Sequence, residues 1–186
     1  MTTIYLTRHG ETEENSKRIL QGHLPTRLNS TGIKQAHDLK DSLQNIHFDA
    51  ILSSDLIRSI ETAKIIAEPH LQDVICCPLI QERNWGSWSG TSIPDIQGKE
   101  FPQDVETVDD MFKRAEKFLE IVQKEYANQT LLVVGHGLMD RVILACLQGK
   151  TIKDIPPFAN TEVRILELSQ EGTYSCKSLE DTLADN

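Results

Sequence analysis

Thr3-Ile4-Tyr5-Leu6-Thr7-Arg8-His9-Gly10-Glu11-Thr12 begins as an apolar, branched, alternating run and stops abruptly at a cation and an imidazole. Branched and aromatic side chains in alternation favour a strand. Arg8 and His9 then stand at its carboxyl end, with Gly10 letting the chain turn sharply. In open α/β sheets that end of a strand is where ligands bind. Arginine grips phosphate as a bidentate fork, and histidine is the side chain most readily used as a nucleophile or proton carrier near neutral pH. The stretch predicts an α/β fold with phosphate chemistry at one sheet edge.

Working outward, strand and helix patterns alternate. Asn29-Ser30-Thr31-Gly32 offers capping side chains ahead of Ile33, Ala36, Leu39 and Leu43, so a helix is expected over 30–45. Residues 48–53 read as a short buried strand. Ser54 and Asp55 are expected to cap a helix with Leu56, Ile60, Ala63 and Ile66 on one face, ended by Pro69. A third strand is expected over 74–77, and residues 78–101, rich in Trp, Gly, Ser and Pro, read as a folded excursion. From about residue 107, Met111, Phe112, Ala115, Phe118, Leu119, Val122 and Tyr126 form the core-facing stripe of a long helix. The continuous apolar run 130–134 predicts a central parallel strand, leaving through Gly135-His136-Gly137 into a helix over 138–147. Residues 161–168 and 173–178 alternate around Gln170-Glu171-Gly172 like a terminal hairpin. No repeat or linker interrupts this order, and one domain over 1–186 is expected.

Composition narrows the partners. The chain has 186 residues and a formal net charge of −9, with an isoelectric point near 5.1. That balance repels nucleic acid and anionic lipid, and no basic run is long enough to form a binding stripe. An anionic substrate must therefore be drawn in by a local positive pocket, which puts weight on Arg8 and any partner arginine. The start of the chain shows no basic leader, and no apolar run approaches the roughly 20 residues of a membrane helix. A cytoplasmic protein without membrane partners is expected. Cys76, Cys77, Cys146 and Cys176 have no metal-type spacing, and the adjacent pair suits no ordinary disulfide; they read as small apolar core residues in a reducing compartment.

Three strand exits share one pattern. Thr7 leads to Arg8-His9-Gly10, Ser53 leads toward Arg58 on the first turn of a helix, and Val134 leads to Gly135-His136-Gly137. In a parallel sheet these exits lie on one edge, so two arginines and two histidines converge around a point suited to a phosphoryl group.

With these pieces in order, the chain resembles the histidine phosphatase superfamily, which includes cofactor-dependent phosphoglycerate mutases and fructose-2,6-bisphosphatases. The matching stretches are Leu6 to Thr12 with Asn15 and Gln21-Gly22, Leu28 with Gly32 and Gln35-Ala36, Ser53 to Leu56 with Arg58 and Glu61-Thr62-Ala63, Glu82 with Trp85-Gly86 and Trp88-Ser89-Gly90, and Val133 to Gly137. The resemblance implies a three-layer α/β/α sandwich with a mostly parallel central sheet, of the phosphoglycerate mutase-like kind. It implies that His9 is the nucleophile, forming a phosphohistidine while its other ring nitrogen is held by a backbone carbonyl. Arg8, Arg58 and His136 would hold the phosphoryl oxygens, and Glu82 would act as general acid and then base. Asn15, Gln21, Gly22, His23 and Gly137 would bind substrate. The cationic side chains take the place of a metal, and no cofactor is implied.

The interval from Glu82 to His136 is shorter than in the mutases of this family, and Leu138 stands where they have a polar residue. Its cations include Arg83, Lys99, Lys113 and Arg114, and those on the amphipathic helix read as a solvated face. Hydrolysis of a small phosphorylated metabolite is therefore expected. The alternatives are a cofactor-dependent phosphoglycerate mutase, a protein phosphatase, or a non-catalytic phosphate-binding module. Retention of both His9 and Glu82 argues against the last, because binding alone needs neither.

Overall fold

A computed structural model describes residues 1–169 and 174–184. Its strands are β1 (Thr2–Arg8), β2 (Ala50–Ser53), β3 (Val74–Cys76), β4 (Thr130–Gly135), β5 (Val163–Leu168) and β6 (Tyr174–Ser178), arranged in one sheet in the order β3-β2-β4-β1-β5-β6. The helices are α1 (Glu13–Ser16), α2 (Ser30–Leu43), α3 (Ile57–Ala67), α4 (Ile93–Ile96), α5 (Val108–Glu125), α6 (Gly137–Gln148) and α7 (Leu179–Ala184). Pairings among β1, β2, β3 and β4 are parallel, whereas β5 runs antiparallel to β1 and β6 antiparallel to β5.

Period-two alternation divides the apolar residues between two cores. Ile4 and Leu6 of β1, Ala50 and Leu52 of β2, and Leu131 and Val133 of β4 point to one face, where α5 and α6 bring Met111, Phe118, Val122 and Val142. Tyr5, Ile51, Leu132 and Val134 point to the other face, against Leu39, Leu43, Ala63 and Ile66 of α2 and α3. Helices thus cover both faces of the sheet, giving the three-layer arrangement. Strand β4 is enclosed on both sides, which is why its sequence is apolar without alternation.

Helix boundaries follow local chemistry. The Asn29 side chain accepts from the Gly32 N–H to start α2, and Thr107 accepts from the Asp110 N–H to start α5. The expected Ser54-Asp55 cap on α3 is absent: its N-cap position is Leu56, with no side-chain cap bond. Ser54 Oγ instead accepts from the Leu56 N–H at 3.2 Å and lies 2.6 Å from His136 Nε2, while Asp55 accepts from Gln81. The terminal hairpin strands pair as expected, and their Gln170-Glu171-Gly172 turn lies outside the described residues.

The cysteines depart from expectation. Cys76 and Cys176 are exposed, and Cys77 and Cys146 are only partly covered, all four as free thiols. Cys76 and Cys176 lie on β3 and β6, the two edge strands, where one side of each residue meets water rather than another strand. No described helix is long and apolar enough to cross a membrane.

Register fixes the site. Arg8 lies opposite Gly135 in the β1–β4 ladder, and Ser53 lies opposite Val134 in the β2–β4 ladder. His9, His136 and Ser54 therefore leave the sheet as immediate neighbours.

Candidate active site

His9 is 2% exposed, and its Nδ1 lies 2.6 Å from the Gly10 carbonyl. A carbonyl only accepts, so Nδ1 carries the hydrogen and Nε2 keeps its lone pair. Burial, and then the Arg58 and Arg8 charges, push the imidazole well below its usual titration range and keep it neutral. Gly10 is required by close approach rather than by a positive φ: a Cβ there would sit 2.5 Å from the Gly32 carbonyl oxygen. This packs the β1 exit directly against the start of α2. The Asn160 amide donates to the His9 carbonyl at 3.0 Å and to Asn15 Oδ1 at 3.3 Å, tying the late loop to the same exit.

Arg58, on the first turn of α3, is 1% exposed, and four acceptors surround its guanidinium. Nε donates to His9 Nε2 at 3.2 Å, and the terminal nitrogens donate to the Gly22 and Leu24 carbonyls and to Thr26 Oγ1. Burial lowers this arginine to about 10, so it stays charged at neutral pH. Arg8 donates to the Phe158 carbonyl at 2.8 Å, but its Nε is buried and has no hydrogen-bond partner among the described residues.

His136 lies one layer deeper, fully enclosed, with its ring centroid 5.2 Å from that of His9. Its Nε2 faces Ser54 and Ser59, while the buried Nδ1 has no partner among the described residues. Burial and the nearby Arg58, His9 and Arg8 hold it neutral. Beneath it, Asp140 Oδ1 accepts the His136 backbone N–H at 3.2 Å. A Cβ on Gly135 would collide with that carboxyl oxygen, so glycine at 135 makes room for Asp140. Asp140 has no exposed surface, and burial pushes its carboxyl well above the ordinary range, with Glu82 adding to the effect.

Glu82 comes from the loop after β3. Its Oε1 accepts the Arg83 N–H at 2.8 Å, and its Oε2 accepts the Leu138 N–H at 3.2 Å at the start of α6. A half-buried ion pair fixes this loop from behind. The Arg114 guanidinium forks onto Glu106 at 2.7 and 2.9 Å and also donates to the Leu79 and Gln81 carbonyls. Glu106 in turn accepts from the Asn84 N–H through its side chain and from Arg83 Nε through its carbonyl. Arg114 is therefore not part of a solvated face: it clamps both flanks of Glu82. Arg83 is also enclosed, its guanidinium 4.7 Å from the Trp85 ring centre and 4.9 Å from that of Phe101.

A cavity of about 230 Å³ brings most of these groups together. Arg8, His9, Asn15, Gln21, Gly22, Arg58, Glu82 and Gly137 line it, joined by Trp85, Leu138, Arg141 and Phe158. Gln21 is fixed by hydroxyls from Thr12 and Thr26. His23 does not line this cavity; it stands behind Glu82, with Nε2 2.8 Å from the Glu82 carbonyl, because the short turn after Gly22 carries it past the opening. Asp140 and Arg141 escaped the sequence reading, and Ser54 was read only as a helix cap and part of a matching stretch. Ser54 follows the β2 exit directly and carried a positional signal, whereas Asp140 and Arg141 look like ordinary polar residues of an amphipathic helix.

Comparison with known proteins gives the family. Residues 4–182 match the family model described as "Histidine phosphatase superfamily (branch 1)". "Phosphoserine phosphatase 1" of Hydrogenobacter thermophilus is 34% identical over 164 residues, covering 80% of this chain and 77% of that protein. "Probable phosphoglycerate mutase GpmB" of Yersinia pestis is 29% identical over 184 residues, covering 91% and 83%. Among solved structures, Bacillus stearothermophilus YhfR superposes with a TM-score of 0.88 at 27% identity over 96% of both chains. The chain belongs to the histidine phosphatase superfamily.

Proposed function

We propose that this protein hydrolyses small phosphomonoesters through a phosphohistidine on His9. The observation that carries the reading is a neutral, oriented imidazole beside two buried nitrogens, Arg8 Nε and His136 Nδ1, without protein partners among the described residues. An unmet buried donor costs about 1–3 kcal/mol, and phosphoryl oxygens supply the acceptors. Ser54 Oγ accepts from the Leu56 N–H, which leaves its own proton for His136 Nε2. Neutral His136 then carries its hydrogen on Nδ1, as a donor toward the phosphoryl group.

The chemistry follows in two displacements. His9 Nε2 attacks phosphorus, taking over the position where Arg58 Nε donates to it, and the phosphorus–ester oxygen bond breaks. Glu82 gives its proton to the departing alkoxide. A water then attacks phosphorus from the side the alcohol has left, Glu82 takes its proton, the phosphorus–nitrogen bond breaks, and inorganic phosphate leaves. Arg8, Arg58 and His136 stabilise charge on the three equatorial oxygens throughout, which is the dominant demand of phosphoryl transfer. Hydrolysis is favoured over a mutase in that Arg83 and Arg114, two cations of the interval between Glu82 and His136, hold internal partners and do not line the cavity.

Incubation with para-nitrophenyl phosphate and a panel of phosphorylated metabolites tests this. Wild-type protein is expected to release phosphate and His9→Ala to lose essentially all turnover; no release by the former, or full release by the latter, would refute it. Interconversion of phosphoglycerates dependent on a bisphosphate would favour the mutase instead.

A further inference from the structure

A larger depression of about 700 Å³ adjoins the 230 Å³ cavity, and Leu20, Trp85, Ile93 and Leu138 line both. Its remaining apolar wall is Trp88, Ile96 and Phe101. Phe101 is 59% exposed, an aromatic ring left largely in water. It lies nearly parallel to Trp85 at 6.4 Å and tilted against Trp88 at 5.0 Å, so three aromatic rings form one face. Contiguous exposed apolar surface of this kind marks a ligand groove.

The groove is pre-formed. Leu20 and Gly90 donate to the Thr91 and Leu20 carbonyls at 2.9 and 2.7 Å, and the Ile93 N–H donates to the Arg18 carbonyl at 2.9 Å. These bonds join the two segments that form the wall between cavity and groove. Charge narrows the occupant further. Arg8, Arg18, Arg58, Lys99 and Arg141 line the combined space, whereas Glu82 is the sole carboxylate among its lining residues. An ammonium group on the substrate alcohol would meet only the carboxylate that the proposed chemistry already uses.

We propose that the physiological leaving group is a largely apolar alcohol bearing a planar ring and no amino group, seated against Trp88 and Phe101. This rests on the phosphomonoesterase reading and extends it to a substrate class. The phosphoryl group fills the inner cavity, and the ring crosses the shared Trp85–Leu138 boundary into the groove. Selectivity thus comes from burying the ring.

The test compares 2-(1-naphthyl)ethyl phosphate with ethyl phosphate, both esters of alkyl alcohols, so that leaving-group basicity does not decide the outcome. The naphthyl ester is expected to show kcat/KM about tenfold higher or more, and phosphoserine to be a poor substrate. In Trp88→Ala and Phe101→Ala the ratio is expected to fall below about threefold. A ratio near one in wild-type protein, or an unchanged ratio in both variants, overturns the proposal. If neither ester is hydrolysed, the phosphatase reading fails by itself, and calorimetric titration with the corresponding phosphonates decides the groove. Tighter binding of the naphthyl phosphonate than of ethylphosphonate, lost in the two variants, then supports it; equal binding overturns it.

Discussion

His9 and Asp140 are two buried titratable groups, and burial is the main cause that holds each of them neutral. Loss of solvent disfavours the His9 cation, with the Arg58 and Arg8 guanidinium groups adding to the effect, and it disfavours the Asp140 anion, with Glu82 adding to the effect. Because the folded value of Asp140 is raised, its favourable contribution is complete below the unfolded value near 3.8 and declines as pH rises toward the folded value. Each pH unit in that window costs the fold about 1.4 kcal/mol. Asp140→Asn keeps an acceptor for the His136 N–H without that ionisation. Urea denaturation is therefore expected to show Asp140→Asn gaining on wild type as pH rises out of the ordinary carboxylate range toward neutrality, while Asp140→Ala is less stable at pH 5. A constant difference between Asn and wild type across that range would contradict a neutral Asp140. Arg8, His9, Arg58 and His136 were legible in the sequence because strand ends and the first helical turn fix position in one dimension. The contact of Asp140 with Gly135 arises only once α6 folds back on β4, so neither residue announced it.

At the scale of elements, α5 both packs the core and holds the Glu82 loop. Its apolar stripe was readable, and Met111, Ala115, Phe118 and Val122 are buried as the spacing predicts. Phe118→Ala is expected to cost about 3–5 kcal/mol in chemical denaturation, as for other enclosed aromatics. Arg114 on the same helix was misjudged as solvated, since helical spacing gives an angle around the axis but not what lies opposite. Its fork onto Glu106 and two carbonyls leads to a sharper expectation. Arg114→Ala loosens Glu82, so alkyl phosphate hydrolysis is expected to drop by about ten- to a hundredfold. Para-nitrophenyl phosphate, whose leaving group departs with little need of a proton, is expected to lose only a few-fold. Equal losses on both ester types would mean that Arg114 acts on general stability rather than through Glu82.

Across the whole molecule, the alternation of strand and helix was sufficient to order the chain, and the mostly parallel sheet follows from the crossovers. The cysteines were misplaced because composition favours burial of free cysteine but does not say which strands form sheet edges. The excursion over residues 78–101 was recognisable only as irregular, since its three-ring face depends on Phe101 folding back onto Trp85 and Trp88. One global property follows from the site itself. His9 and His136 are depressed on folding, so the stability they contribute is present above their unfolded value near 6.5 and is lost as pH falls below it. Stability is expected to decline from pH 7 to pH 5, by up to about 1.4 kcal/mol per pH unit for each histidine, and less steeply in His9→Gln. A flat profile in Asp140→Asn, which lacks the opposing slope of the Asp140 carboxyl, would contradict two buried neutral imidazoles. The central claim, covalent transfer through His9, is tested most directly by quenching wild-type protein at alkaline pH during turnover and mapping the modified peptide by mass spectrometry. One phosphoryl group on His9, absent from His9→Ala, is the expected result; steady turnover with no phosphorylated His9 at any quench time would contradict it.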